Sequence, residues 1–208
     1  MLEVGAGSCR QDLPAGTCGA ASTERRLGGL TANESRAHFG AWSVVSSPLI
    51  LSHDLSDDIA YDAAWPIISN QEALRINAQH FHGDLGRLVA VSDDNLTDVT
   101  VYHGARCECV WGGQQLPRWT VWAKRLNEDE ATAIAINFGN DTASDISVPL
   151  QLIFGGSAEP MPQGVFQEFD VWLNKTMRSL AWLSPWSGFE LSPHSSFFVT
   201  LKRTDARQ

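Results

Sequence analysis

Gly28-Gly29-Leu30-Thr31-Ala32-Asn33-Glu34-Ser35-Arg36-Ala37-His38-Phe39-Gly40-Ala41-Trp42, followed by Ser47-Pro48-Leu49-Ile50-Leu51-Ser52-His53-Asp54-Leu55, is the stretch on which the fold turns. Thr31 and Glu34 have the spacing of a capping box: the threonine hydroxyl accepts from the amide three residues on, and the glutamate reaches back to the cap amide. A helix therefore starts at Thr31. Phe39, Trp42 and Val45 recur at three-residue steps, with Ala41 and Val44 broadening the stripe, so one face is suited to burial against a sheet. Pro48 ends the helical run. Leu49-Ile50-Leu51 is short and continuously apolar, which predicts a parallel strand covered on both faces.

Helical spacing continues downstream. Asp57 to Ser69 has acidic residues in its first turn and Ile59, Ala63 and Ile67 on one side, with Pro66 expected to bend or break the helix. Asn70 to Asn77 reads as a further short helix. From about residue 90 the period changes from 3.6 to 2. Trp119, Val121 and Ala123 alternate with Thr120, Trp122 and Lys124. Ile134, Ile136 and Phe138 follow, then Val148, Leu150, Leu152 and Phe154, and finally Phe197, Val199 and Leu201. Turn residues separate these runs: Asn127 to Glu130, Gly139-Asn140-Asp141, Gly155-Gly156-Ser157 and Pro160 to Gly164. Half-buried strands with such turns predict an antiparallel sandwich packed through its inner faces.

The quoted stretch resembles the last turn of the catalytic barrel in the α-galactosidase (melibiase) family of retaining glycoside hydrolases. Met1-Leu2-Glu3-Val4-Gly5 resembles the second half of that family's Asp-Pro-Asp-Met-Leu-x-x-Gly segment. Asn70, Glu72, Ile76, Asn77 and Gln79 resemble its Asn-x-Glu-x-x-x-Ile-Asn-Gln run, with the glutamine one residue late. Gly83 to Val89 is similar to its glycine-rich exit from the barrel. Thr120 to Lys124 with Ala133 to Asn137, Asp170-Val171-Trp172, and Ser192-Pro193-His194-Ser195 resemble landmarks of its C-terminal β-domain. The insertions Gly7 to Leu27 and Ser92 to Pro117 depart from the pattern.

The fold so implied is α/β plus all-β: a partial (β/α)8 barrel remnant in residues 1–90, a linker or insertion in 91–117, and a C-terminal antiparallel β-sandwich in 118–208. The activity implied is hydrolysis of terminal α-D-galactosyl residues with retention. That chemistry uses two carboxyl groups about 5 Å apart, one attacking the anomeric carbon and one protonating the leaving oxygen. In the family these are aspartates on barrel strands before the Met-Leu segment, so no catalytic residue is expected in this chain, and alone it is expected to be inactive. Met1 matches a position that helps wall the sugar pocket. No cofactor is implied.

Other acids read as surface. Asp57-Asp58, Asp93-Asp94 and Glu128-Asp129-Glu130 are adjacent or loop-borne, and His38, between Ala37 and Phe39, reads as a packing residue. Cys9 and Cys18 flank a Gly-, Ala- and Pro-containing loop that a disulfide could close, with pairing elsewhere left open. Cys107 and Cys109 with His80 and His82 have zinc-ligand types but not the spacing of a finger or ribbon, so no metal site is assigned. A formal charge of −9 and a pI near 5.0 argue against a nucleic-acid partner. No apolar run reaches the ~18 residues of a membrane helix. Sequons at Asn33, Asn95, Asn140 and Asn174 suit glycosylation and a secretory, lysosomal, vacuolar or extracellular location, although no signal peptide is visible. The partner expected is an α-galactoside, and a homo-oligomer is left open. A different class of function is a non-catalytic carbohydrate-binding or interaction module. Its platform would be Trp111, Trp119, Trp122, Trp172, Trp182 and Trp186, most of which read as core.

Overall fold

The computed structural model describes residues 30–51, 58–96, 100–103, 108–111, 116–155 and 164–204. The predicted cap is formed: the Thr31 amide donates to Glu34 Oε2 at 2.7 Å, and the Glu34 amide donates to Thr31 Oγ1 at 3.3 Å. From it runs α1 (Ala32–Val44), followed by α2 (Asp58–Ile68) and α3 (Gln71–Ala78), the last capped by the Asn70 side chain. α2 continues through Pro66 and ends two residues later, close enough to its C-terminus that losing one amide donor does not break it.

The β-region begins with β1 (Arg87–Val91), β2 (Asn95–Leu96), β3 (Thr100–His103), β4 (Glu108–Trp111) and β5 (Leu116–Pro117). It continues through β6 (Trp119–Asn127), β7 (Glu130–Asn137), β8 (Ser147–Pro149), a helical turn α4 (Leu150–Ile153), β9 (Val165–Asp170), β10 (Lys175–Ala181), β11 (Pro185–Ser187) and β12 (Ser196–Arg203). Six of these strands form one antiparallel sheet in the order β1-β6-β7-β12-β9-β10. β8 pairs with β11, β2 with β5, and β3 with β4. The architecture is the expected one, a helical remnant followed by an antiparallel β-domain.

Period 2 sorts the central strands onto two faces. Ala131, Ala133 and Ala135 of β7 join Val121, Val199, Leu201 and Phe166 in one core, closed by Val148, Leu150, Ile153, Phe154 and Trp186 from the small β8–β11 and α4 layer. Ile134 and Ile136, one step out of phase, join Phe198 and Val171 in a second core, closed by Phe39, Val44, Ala64, Ile67, Ala73 and Ile76 of the helices. The three helices therefore lie on the back of the sheet.

Three local expectations are corrected by this layering. β6 and β7 are buried on both faces rather than half-buried, because the helices cover the face that would otherwise meet water. Leu51 makes a β-bridge whose partner lies outside the described residues, and the expected cover on both faces is not seen among the described residues, since Ile50 is 58% exposed. Val148 to Phe154 is not one strand: after Pro149 the chain turns helical, and Leu150, Ile153 and Phe154 are buried at i, i+3 and i+4 while Leu152 faces out.

α1 crosses the sheet at Gly40, where a Cβ would lie 2.5 Å from Ile134 Cδ1 and 3.3 Å from rings of Phe198 and Trp172. Gly40→Ala is expected to cost about 1–3 kcal/mol by overpacking. Ile134→Val removes the methyl in conflict. In a thermal-unfolding double-mutant cycle the pair should then be less destabilised than the sum of the singles, and strict additivity would show that the close approach carries no energy.

Candidate functional site

The acids singled out in the sequence lie at three places in the chain. Asp58 opens α2 and Asp57 lies outside the described residues. Asp94 is paired with Arg118, whose Nε lies 2.8 Å from Asp94 Oδ2 while its Nη2 lies 2.9 Å from Asp145 Oδ2. The Trp119 indole N–H also donates to Asp145, at 3.2 Å. Burial alone would push the Asp145 carboxyl up; the Trp119 hydrogen bond, the backbone and the Arg118 charge outweigh it and hold it below the usual carboxylate range. The same pairing outweighs burial at Arg118 and holds its guanidinium above its ordinary value. These residues line an open cleft of about 560 Å³ with Ala90, Val91, Asp93 and Ser147.

Glu130 is bound by Arg75, Nη2 to Oε1 at 2.6 Å, with Glu72 on the same guanidinium at 2.6 Å. Glu72 is the main reason that the Arg75 guanidinium is raised further above its ordinary range; burial opposes and Glu130 assists. Asp129 faces Arg203 at 3.6 Å. Glu168, a buried carboxylate that no sequence motif singles out, accepts from Trp186 Nε1 at 2.7 Å and from Arg178 Nε at 3.2 Å. Alternation along β9 is a signal for it, since Phe166, Glu168 and Asp170 share one buried face. Among the described residues, these partnered carboxylates are tied into structural ion pairs rather than arranged as a nucleophile and a protonated acid.

Met1, Cys9 and Cys18 lie outside the described residues, as does Cys107. His38 packs edge-on against Trp42, with ring centroids 5.8 Å apart. His80 and His82 are exposed, and no group of three or more His, Cys, Asp or Glu among the described residues is placed to hold a metal ion. The four sequon asparagines are all exposed: Asn33 in the first turn of α1, Asn95 on β2, Asn140 after β7, and Asn174 in the β9–β10 turn. Of the tryptophans whose side chains are described, Trp65, on α2, is mostly exposed, Trp119 and Trp186 are buried, and Trp42, Trp122, Trp172 and Trp182 are half-buried.

Residues that carry the resemblance hold the two layers together. Asn70 caps α3 with its side-chain oxygen and donates through Nδ2 to the Val171 carbonyl at 2.8 Å, tying the helices to the β9–β10 turn. Asp170 Oδ1 accepts from the Leu173 amide at 2.9 Å and closes that turn. Asn137 donates to the carbonyls of Asp141, Leu191 and Ser192 and accepts from the Gly139 amide. His194, with φ +54, lies 2.9 Å from Asn140 Oδ1 through Nε2.

Alternation alone gives Lys124 nothing more than a position on a strand. In the fold it is fully buried, and its ammonium donates to the carbonyls of Ser43 and Ile76, in the last turns of α1 and α3, and to Ser46 Oγ. Burial pushes the ammonium down to about 8, against the attraction of Asp84 and with the repulsion of Arg75.

No family model matches the chain, and no curated protein matches it. Solved structures do match in fold. A GH27 β-L-arabinopyranosidase from Geobacillus stearothermophilus superposes with a TM-score of 0.62 at 18% identity, over 88% of this chain and 33% of that one. α-Galactosidase I from Mortierella vinacea does so with a TM-score of 0.59 at 16% identity, over 87% and 38%. An α-galactosidase from Saccharomyces cerevisiae, solved with raffinose, gives 0.57 at 17% identity, over 85% and 45%. The chain thus spans about a third to just under half of the length of these glycosidases, and it has the fold of that segment.

Proposed function

We propose that this chain is the C-terminal part of a retaining glycoside hydrolase acting on galacto-configured pyranosides, comprising the end of the catalytic barrel and the β-domain behind it. The observation that carries this reading is the fold match over 85–88% of the chain to enzymes named for α-galactosides and for a β-L-arabinopyranoside. Those two sugars share the configuration of the ring and differ by the hydroxymethyl group, so the common property is recognition of that ring. Terminal α-D-galactose is the substrate group that fits most of these neighbours. The nucleophile and acid of the reaction are supplied by polypeptide outside these residues, consistent with the ion-paired state of the acids described above.

The role of the chain within such an enzyme is to close and brace the barrel. α1 and α3 carry barrel-type helices, and Lys124, Asn70 and the second core fasten them to the sheet. Exposed Ile50 and Trp65 give the helical side apolar surface that further barrel elements would cover. The exposure of all four sequon asparagines supports a secretory origin. The tryptophan platform of a binding module is not favoured, because the β-domain tryptophans with described side chains are buried or half-buried in the two cores.

The 208-residue chain, purified and supplied with 4-nitrophenyl α-D-galactopyranoside, is expected to release no nitrophenol above the buffer rate. Turnover with no added subunit would place a working carboxyl pair inside the chain and overturn the reading.

A further inference from the structure

The open cleft around Arg118 stands at the root of the inserted segment Ser92 to Pro117: Asp94 immediately precedes β2, Arg118 immediately follows β5, and these two strands pair as its stem. Backbone bonds fix the rim. The Arg118 amide donates to the Asp94 carbonyl at 3.1 Å and the Ser92 amide to the Trp119 carbonyl at 3.0 Å. Ser92 Oγ bridges the two, donating to the Asp94 carbonyl at 2.7 Å and accepting from the Trp119 amide at 3.2 Å. The charged side chains are held and yet reachable. Arg118 is 22% exposed, and its partners Asp94 and Asp145 are 59% and 53% exposed. Asp93, Ser147 and Val91 are exposed beside them. The volume of about 560 Å³ falls within the ~300–1,000 Å³ of small-molecule sites.

What such a cleft can hold follows from its charges. The carboxylates of Asp93, Asp94 and Asp145 repel an anion, and the Arg118 guanidinium, between two of them, occupies the place that a cation would take. Among the described residues no group of three or more His, Cys, Asp or Glu is placed to hold a metal ion. An apolar ligand would strip water from these charges without replacing its hydrogen bonds. A neutral polyol replaces them, since each hydroxyl can donate to a carboxylate and accept from a guanidinium N–H. We propose that this cleft is a saccharide site that binds a neutral pyranose through its hydroxyls, with Asp93, Asp94 and Asp145 as acceptors and Arg118 as donor. The ion pairs hold the planar groups in place before the sugar arrives, which lowers the ordering cost of binding. Asp145, held below the usual carboxylate range, stays an acceptor in mildly acidic solution. Val91 offers an apolar contact to the C–H face of the ring. That the pyranose is a galactoside rests on the glycosidase reading above. In such an enzyme the site would hold a substrate with many galactosyl branches and raise the local concentration of the next one.

The test is titration of the full isotope-labelled chain with methyl α-D-galactopyranoside, read by NMR at the indole N–H of Trp119, which donates to Asp145 in the cleft. The resonance should shift saturably, with a Kd on the order of 1 mM. Asp93 is exposed and in no ion pair among the described residues, so Asp93→Ala should leave the Tm unchanged. It should nevertheless weaken binding about tenfold, the loss of one hydrogen bond to a charged group. Asp145→Asn, which keeps the shape and removes the charge, should weaken it similarly. A resonance that does not move, or that titrates with the same Kd in Asp93→Ala, overturns the inference. So does a response to free lysine or calcium chloride with none to the galactoside. These outcomes leave the glycosidase reading standing, because that reading turns on the release of nitrophenol.

Discussion

Lys124→Met is expected to destabilise the fold by roughly 2–5 kcal/mol, since it leaves the Ser43 and Ile76 carbonyls and Ser46 Oγ without their buried cationic donor. Methionine is close to lysine in length and fills the same space, so the loss reports hydrogen bonding rather than a cavity. The carbonyls belong to the last turns of two helices, where the backbone carries partial negative charge and a cation is favoured. pH gives a second readout. In the folded chain burial lowers Lys124 from 10.5 to about 8. Below pH 8 the group is protonated both folded and unfolded, and the folded state carries the burial cost of the charge. Between about 8 and 10.5 only the unfolded chain keeps the proton, so the wild type gains stability relative to Lys124→Met as pH rises, and the gain is complete above 10.5. Tm values of the two proteins at about pH 7 and about pH 10 measure this directly. A gap that stays constant or narrows would mean that the ammonium is not held down by burial.

Gly86→Ala is expected to cost about 2–6 kcal/mol, combining a positive-φ strain of roughly 1–3 with an overpacking cost of similar size. Gly86 stands where the chain leaves the helices and enters β1, with φ +88. A Cβ there would penetrate the Val44 carbonyl oxygen, with Val44 C at 2.9 Å and Val45 Cα at 3.0 Å. These are backbone atoms at the end of α1, and they cannot swing aside as a side chain can. Gly83 provides the control: its φ is +81, yet a methyl at that position would meet nothing within 4 Å. Gly83→Ala should therefore show the conformational cost alone. At this chain length each kcal/mol moves the Tm by about 2–4 °C, so the two variants are easily separated. Equal shifts would show that the approach of α1 to the β1 entry is not tight.

Particular residues show how far the sequence can be read. The Thr31–Glu34 cap is legible because both partners lie within one turn, and no other part of the chain is needed to form it. The central strands are legible from period 2, but the same alternation in β6 predicts one wet face. Thr120, Trp122 and Lys124 instead face the helices, and no local pattern says what covers a strand. Val148 to Phe154 satisfies both templates: its apolar residues fit alternation, while Leu150, Ile153 and Phe154 also fit a helical turn, and packing against β6 and β7 selects the turn. Loop and first-turn positions lead the sequence to place these acids at the surface. They do not show the ion pairs to Arg75 and Arg118, whose members are up to 55 residues apart in sequence.

By itself the sequence settled what depends on neighbours along the chain: the cap of α1, the change from helical to strand period, and the resemblance of short motifs to glycosidase landmarks. Only the tertiary structure decided what depends on surfaces meeting. It placed the three helices on the back of one sheet, turned Lys124 from a strand position into a buried clamp, and brought Asp94 and Asp145 to Arg118 in one cleft. Local propensity acts through bonds within a turn or a strand pair. Burial is a property of two surfaces, and each of these three results needed both surfaces to be in place.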